Sequence, residues 1–235
     1  MATRGDSGGG GYTYLCVKHH SICEESKTPK DGFEEVEVFN PKTKETLNKY
    51  IDKWGSVSGF VNSVEHYDTG TSYETRFQGF KINIDDEVIL DLPQKTPAYD
   101  TFCKVAENID WTKEVSFSAY HNKKKDRTAF SVKQDGEGVD WKYTIENPGD
   151  CPPWEKDEDG EWDSRKQRAF LKQRVIDDVI PVVLKAATER AGEFDPSTAV
   201  APVEAPKASA ASAGKAKGST KTTTPAPDDD DNIPF

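Results

Sequence analysis

From Trp54 to Gln134 apolar and polar residues alternate in short runs, the period-two signature of half-buried strands. Ser56 to Tyr67 reads as a first strand, with Gly59 placed for a bulge, and Asp68-Thr69-Gly70 as a hairpin turn. Ser72 to Ile84 reads as a second strand with a bulge at Gly79. Asp85-Asp86 turns the chain into a third strand, Glu87 to Leu92, which Pro93 and Pro97 end. The period then changes. Phe102, Val105, Ala106 and Ile109 fall on one face of a helix over Ala98 to Ile109. Alternation returns in Glu114 to Asn122, with Val115, Phe117 and Ala119 on one side and Ser116, Ser118 and Tyr120 on the other. A basic hairpin, His121 to Arg127, leads into a fifth strand, Thr128 to Lys133.

Three strands, a helix and a two-strand hairpin is the order of an OB-fold, a five-stranded Greek-key barrel. A small α+β sheet has the same elements. The expected fold is therefore mainly β: an OB-fold barrel with added helices. On its N-terminal side, residues 12–23 are β-prone, Phe33 to Phe39 is a short strand closed by Asn40-Pro41, and Thr46 to Lys53 is a short helix or an extended lead-in. On its C-terminal side, Trp141 to Ile145 reads as one more strand. An acidic loop with Trp154 and Trp162 follows, and then a helix capped at Asp163 or Ser164. Phe170, Leu171, Val175, Val179 and Ile180 form its buried stripe, and Pro181 should kink or end it. Its basic residues, Arg165, Lys166, Arg168, Lys172 and Arg174, suit DNA, the acids of the preceding loop or the protein's own acidic tail.

The ends are different. Residues 1–11 are Gly-rich and read as a flexible arm. Residues 12–195 form the folded domain with its C-terminal helix. Residues 196–227 are Ala, Ser, Thr, Pro, Gly and Lys, a disordered linker with an r.m.s. span of about 30 Å. Residues 228–235 close the chain with four aspartates, Asn232 and then Ile233-Pro234-Phe235. This acidic tip buries too little to fold alone. It suits a partner with an apolar pocket for Ile233 and Phe235 and a basic rim for Asp228, Asp229, Asp230 and Asp231. Pro234 limits the conformations that such a pocket must order.

That ending resembles the C-terminal tip of bacterial single-stranded DNA-binding proteins, whose tails finish in aspartates followed by Ile-Pro-Phe; Asn232 is an insertion here. The long lead-in, extra helix and acidic body look more like the single-stranded DNA-binding proteins of bacteriophages. The resemblance implies an OB-fold protein without enzymatic activity. It would coat single-stranded DNA without sequence preference during replication, recombination and repair. Its tip would recruit replication and recombination proteins such as a polymerase, helicase, primase or nuclease. No cofactor or membrane partner is implied. The expected location is the cytoplasm of a bacterium or a phage-infected host.

Charge complicates this picture. The net charge is −11, and residues 196–235 hold four Lys against five acids, so residues 1–195 still carry −10. A DNA site must be a local basic surface on an acidic protein. Cations serve the phosphates and aromatic faces the bases. The candidates are Trp54, Tyr67, Tyr73, Arg76, Phe77, Lys81 and Tyr120, with Lys123, Lys124, Lys125 and Arg127 in the hairpin. Phe80, Phe117 and Phe130 are assigned to the core. Cys16, His19, His20 and Cys23 have no paired second half for zinc, so free thiols and surface histidines are the preferred reading. There is no P-loop, and no spacing argues for a nucleophilic triad or a carboxylate nuclease. The main alternative is an acidic, DNA-mimicking adaptor that binds replication proteins without touching DNA.

Overall fold

The structure is a computed structural model. It describes residues 11–40, 43–69, 77–144, 146–153, 155–156 and 162–193. The arm at 1–10, the linker 196–227, the tip 228–235 and the candidates Tyr73 and Arg76 lie outside the described residues.

The fold is mainly β, with two principal sheets. The strands of the first are β1 (Thr13–Lys18), β2 (Ser21–Ser26), β3 (Glu34–Asn40), β4 (Glu45–Trp54), β6 (Val61–Thr69), β7 (Phe77–Ile84) and β8 (Val88–Pro93). Their order across the sheet is β3-β4-β2-β1-β8-β7-β6. The second sheet is built from β5 (Ser56–Gly59), β9 (Val115–Asn122), β10 (Arg127–Gln134) and β11 (Glu137–Gly138), ordered β11-β10-β9-β5. A two-stranded ribbon, β12 (Glu155–Lys156) and β13 (Trp162–Asp163), precedes the C-terminal helix.

The predicted first strand is split at Phe60 into β5 and β6, one in each sheet. Gly59 permits the break, because a Cβ there would meet the Asp85 side chain, whose Oδ1 accepts the Phe60 N–H at 2.9 Å. The register shift lies between Val61 and Ser63. Gly79 is not a bulge: it pairs directly with Tyr67 on β6 and Pro93 on β8.

Among the described residues the sheets do not close into the expected barrel. The free edge of β8 is taken by β1, in parallel, with Leu15 opposite Leu90. The N-terminal segment is therefore part of the main sheet. The β1–β2 hairpin turns on His19 and His20, both at positive φ (51° and 58°), as a two-residue turn between antiparallel strands requires. Thr46 to Lys53, read as helix or lead-in, lies within β4. Of Trp141 to Ile145, predicted as a strand, residues 141–144 are irregular and Ile145 lies outside the described residues.

Inward-facing residues of both sheets meet in one core that includes Leu15, Ile22, Phe80, Ile82, Phe117 and Phe130. Helix α1 (Pro97–Val105) enters the same core through Tyr99 and Phe102. Thr96 caps it, accepting the Tyr99 N–H at 3.2 Å, and a 3-10 turn at Ala106–Asn108 completes the predicted span. Helices α2 (Arg165–Arg174) and α3 (Ile180–Glu193) flank a π turn, Val175–Val179, and bury Leu171, Val175, Val179 and Val183. The helix runs on through Pro181 rather than ending there. The Ile180 N–H already bonds back five residues, to the Val175 carbonyl, so the proline falls in the first turn of a re-registered helix.

No helix among the described residues is long and apolar enough to cross a membrane.

Candidate nucleic-acid interface

Strand alternation sorts the sequence-predicted residues onto different faces. On the seven-stranded sheet, Tyr67, Phe77 and Lys81 point away from the core, and Phe80, Ile82 and Ile84 point into it. Phe77 is 67% exposed. The Tyr67 ring crosses Gly79, and its hydroxyl donates to Asp91 Oδ1 at 2.9 Å. Lys81 Nζ sits 5.6 Å from the same ring. Burial first, and the bond to Asp91 second, raise the Tyr67 phenol above its ordinary pKa. Tyr14 on β1, paired with Ile89, shares this outer face and is 58% exposed. The sequence reading missed it, although Tyr12, Tyr14, Cys16 and Lys18 alternate with Thr13, Leu15 and Val17. Acids run through the face: Lys81 is flanked by Asp91 on β8 and Glu65 on β6.

Trp54 does not join this group. It pairs with Ile22, packs against the core, and donates from Nε1 to Asp52 Oδ2 at 3.2 Å.

The second group is on the four-stranded sheet. Tyr120 on β9 is 40% exposed and pairs with Ala129. Arg127 opens β10, and Lys123 to Lys125 form the turn between the two strands. Asn122 Oδ1 shapes that turn by accepting the N–H groups of Lys124 (3.1 Å) and Lys125 (3.2 Å). The base of the hairpin is braced against the β1–β2 turn. His121 stacks on His20 at 4.0 Å and contacts Asp126 at 2.8 Å, while Thr128 Oγ1 and His20 Nδ1 are 3.1 Å apart.

Sequence reasoning also missed what lies between Tyr120 and Lys133. Half of the outward positions of β5, β9 and β10 are serine: Ser56, Ser58, Ser116, Ser118 and Ser131. Ser58 donates to Ser116 at 2.8 Å, and the Ser118 and Ser131 hydroxyls are 2.8 Å apart. These three strands contain no Asp or Glu. The signal was present in the alternation of Glu114 to Asn122, but strand pairing was needed to place Ser56 and Ser58 beside it.

The basic C-terminal helix is largely committed within the protein. Lys166 pairs with Glu155 at 2.6 Å, Arg168 with Asp100 at 2.8 Å, and Arg165 with Asp163 at 2.7 Å. Arg174 binds Glu107 at 3.0 Å and donates to Tyr143 Oη at 3.2 Å.

Among the described residues no three His, Cys, Asp or Glu side chains converge as metal ligands. His19 and His20 occupy the turn, and the Cys16 and Cys23 sulfurs lie 3.8 Å apart across β1 and β2. The side chains on the sheet faces described above can stack, hydrogen-bond and attract anions. No family model, curated protein or solved structure matches this chain.

Proposed function

We propose that this protein binds single-stranded DNA without sequence preference. It coats exposed strands during replication, recombination and repair, and has no catalytic role. The observation that carries the reading is local charge. In a chain of net charge −11, the strands β5, β9 and β10 are free of acid, and an exposed tyrosine stands beside a lysine-rich hairpin. Cations for phosphate and an aromatic face for a base are the two requirements of non-specific single-strand binding.

The architecture supports the same reading as an opened relative of the OB-fold. Split strand β5–β6 pairs with β7 and β9, β7 pairs with β8, and β9 pairs with β10. Among the described residues, the closing pair expected between the third and fifth strands is replaced by β1 alongside β8. The acidic tip, Asp228 to Phe235, then recruits replication and recombination proteins, as its likeness to the tip of bacterial single-stranded DNA-binding proteins implies. The location that follows is the cytoplasm of a bacterium or phage-infected host.

The test is anisotropy of an end-labelled oligo-dT of roughly 30 nucleotides, long enough for one or more OB-type sites. Binding is expected at low salt, with log K falling linearly against log salt as phosphate contacts release counterions. Net charge alone favours the second reading, a DNA-mimicking adaptor. Absence of binding at low salt would replace the first reading with it.

A further inference from the structure

The four-stranded and seven-stranded sheets each offer an outer face, and single-stranded DNA has to cross one of them. We infer that the strand lies on the outer face of the four-stranded sheet, running over β5, β9 and β10 between Lys133 and the hairpin at Lys123 to Arg127. The outer face of the seven-stranded sheet, despite its more exposed aromatics, is not the track. This rests on the proposed DNA-binding function and assigns its surface.

Three observations carry it. First, charge complementarity separates the faces. Outward positions of β5, β9 and β10 include Arg127 and Lys133 and no carboxylate. The rival face places Asp91 and Glu65 on either side of Lys81, and its lysines are engaged: Lys18 and Lys49 both pair with Glu25, at 2.9 and 3.1 Å. A polyanion laid there meets fixed carboxylates at each cation.

Second, the serine face fits a phosphate backbone sterically and chemically. Ser116, Ser118 and Ser131 are short, so a chain can approach the strands closely. The Ser58–Ser116 and Ser118–Ser131 contacts each consume one O–H, leaving the other hydroxyl of each pair able to donate outward. The face measures about 13 Å from Ser116 to Tyr120 along β9 and about 10 Å across three strands. That accommodates a few nucleotides, with Tyr120 placed to stack on one base at the hairpin end.

Third, the shape excludes the obvious competing polyanion. An acidic peptide ending in Ile-Pro-Phe requires an apolar pocket, and the outward residues of β5, β9 and β10 are serines, Asn122, Arg127 and Lys133, with only Tyr120 and Ala129 among them apolar or aromatic.

The experiment compares full-length variants by oligo-dT anisotropy. Ser131→Glu places a carboxylate in the centre of the serine face; Lys81→Glu does the same to the rival face. Affinity is expected to fall at least tenfold, about 1.4 kcal/mol, for Ser131→Glu, and to change little for Lys81→Glu. The converse pattern overturns the inference while leaving DNA binding intact. Failure of the wild-type protein to bind overturns the functional reading itself. Should Ser131→Glu fail to fold, the double variant Arg127→Gln/Lys133→Gln decides. It is expected to flatten the log K against log salt slope by about 0.7 for each lost contact, and an unchanged slope sinks the track. A synthetic peptide of residues 228–235 that binds wild type but not Ser131→Glu protein, while both proteins bind DNA equally, would assign the face to an acidic peptide and overturn the inference as well.

Discussion

Tyr67 and Gly79 are direct cross-strand partners, and the tyrosine ring occupies the space where a side chain at Gly79 would stand. A Cβ at Gly79 would lie 2.5 Å from Tyr67 Oη and 2.6 Å from the Leu92 carbonyl oxygen. Glycine is required here by close approach rather than by backbone angle. The ring covers the gap in the sheet and reaches Asp91. Gly79→Ala must therefore displace the ring or separate β7 from β8. We expect a loss of about 1–3 kcal/mol, read from the midpoint of urea unfolding. Gly55→Ala, where nothing lies within 4 Å, is the control. It should stay within about 0.5 kcal/mol of wild type. Equal effects at both positions would mean that Tyr67 does not lean on Gly79.

A second network fixes the C-terminal helix. Glu107 accepts from Tyr143 at 2.9 Å and from Arg174 at 3.0 Å. Burial, and then the bond to Glu107, push the Tyr143 phenol up to about 12. Burial also raises Tyr67 and Tyr99. An unfolded tyrosine ionises near about 10. The folded state therefore holds the neutral phenol more tightly than the unfolded state does. This stability is complete below pH of about 10 and is lost as pH rises through the folded value. We expect cooperative alkaline unfolding in that window, followed by circular dichroism alongside phenolate absorbance. Tyr143→Phe should shift the transition, because the phenol can no longer charge. Phenols that all ionise near 10 while the fold stays intact would refute this account.

The strands of the central region were legible because alternation is local. β7, β8, β9 and β10 fall where the period-two pattern put them, and α1 begins at its Thr96-Pro97 signal. Barrel closure was not legible. It depends on whether the edge of β8 meets β10 or β1, and both candidates are short apolar strands. β1 wins with Leu15 against Leu90 and Val17 packed on the core, a choice made by packing rather than by any residue in isolation. β4 was ambiguous for a related reason. Its first four residues are exposed, so Glu45 to Asn48 carry no hydrophobic alternation. Of the candidate residues, Phe77 and Tyr120 are exposed and Tyr67 is half-buried. Their separation onto two sheets required the split at Phe60, which Gly59 only hinted at.

Cys16 and Cys23 face each other on the outer side of the seven-stranded sheet. The two sulfurs are in hydrogen-bond contact, which raises the Cys16 thiol and lowers that of Cys23, making Cys23 the more readily ionised of the two. Cys16 is half-buried and lies 3.8 Å from the buried Cys23 sulfur, whereas Cys103 is buried and its thiol is pushed up by burial. A mild two-electron oxidant of the diazene-dicarboxamide class should take both thiol protons and two electrons and join these sulfurs first. Peptide mapping of the oxidised protein is expected to recover a Cys16–Cys23 link and free Cys103. Recovery of Cys103 or Cys151 in mixed disulfides ahead of that link would contradict the geometry.

The positions of Trp54 and Tyr120 predict which aromatic contributes to binding. Trp54 packs on the core and spends its indole N–H on Asp52, so DNA on the four-stranded sheet does not reach it. Tyr120 stands outward beside the basic hairpin. A stacked base is worth about 1–3 kcal/mol, so Tyr120→Ala should weaken oligo-dT binding by roughly five- to a hundredfold. Tyr120→Phe keeps the ring and should bind nearly as well as wild type. Trp54→Phe should leave the affinity unchanged. Its indole should also report the DNA weakly, which makes anisotropy of labelled DNA a better readout than tryptophan quenching. If Tyr120→Phe loses as much as Tyr120→Ala, the hydroxyl rather than the ring is the contact. If Trp54→Phe alone weakens binding, the strand passes over the β2–β4 end of the molecule, and the serine face is not where it lies.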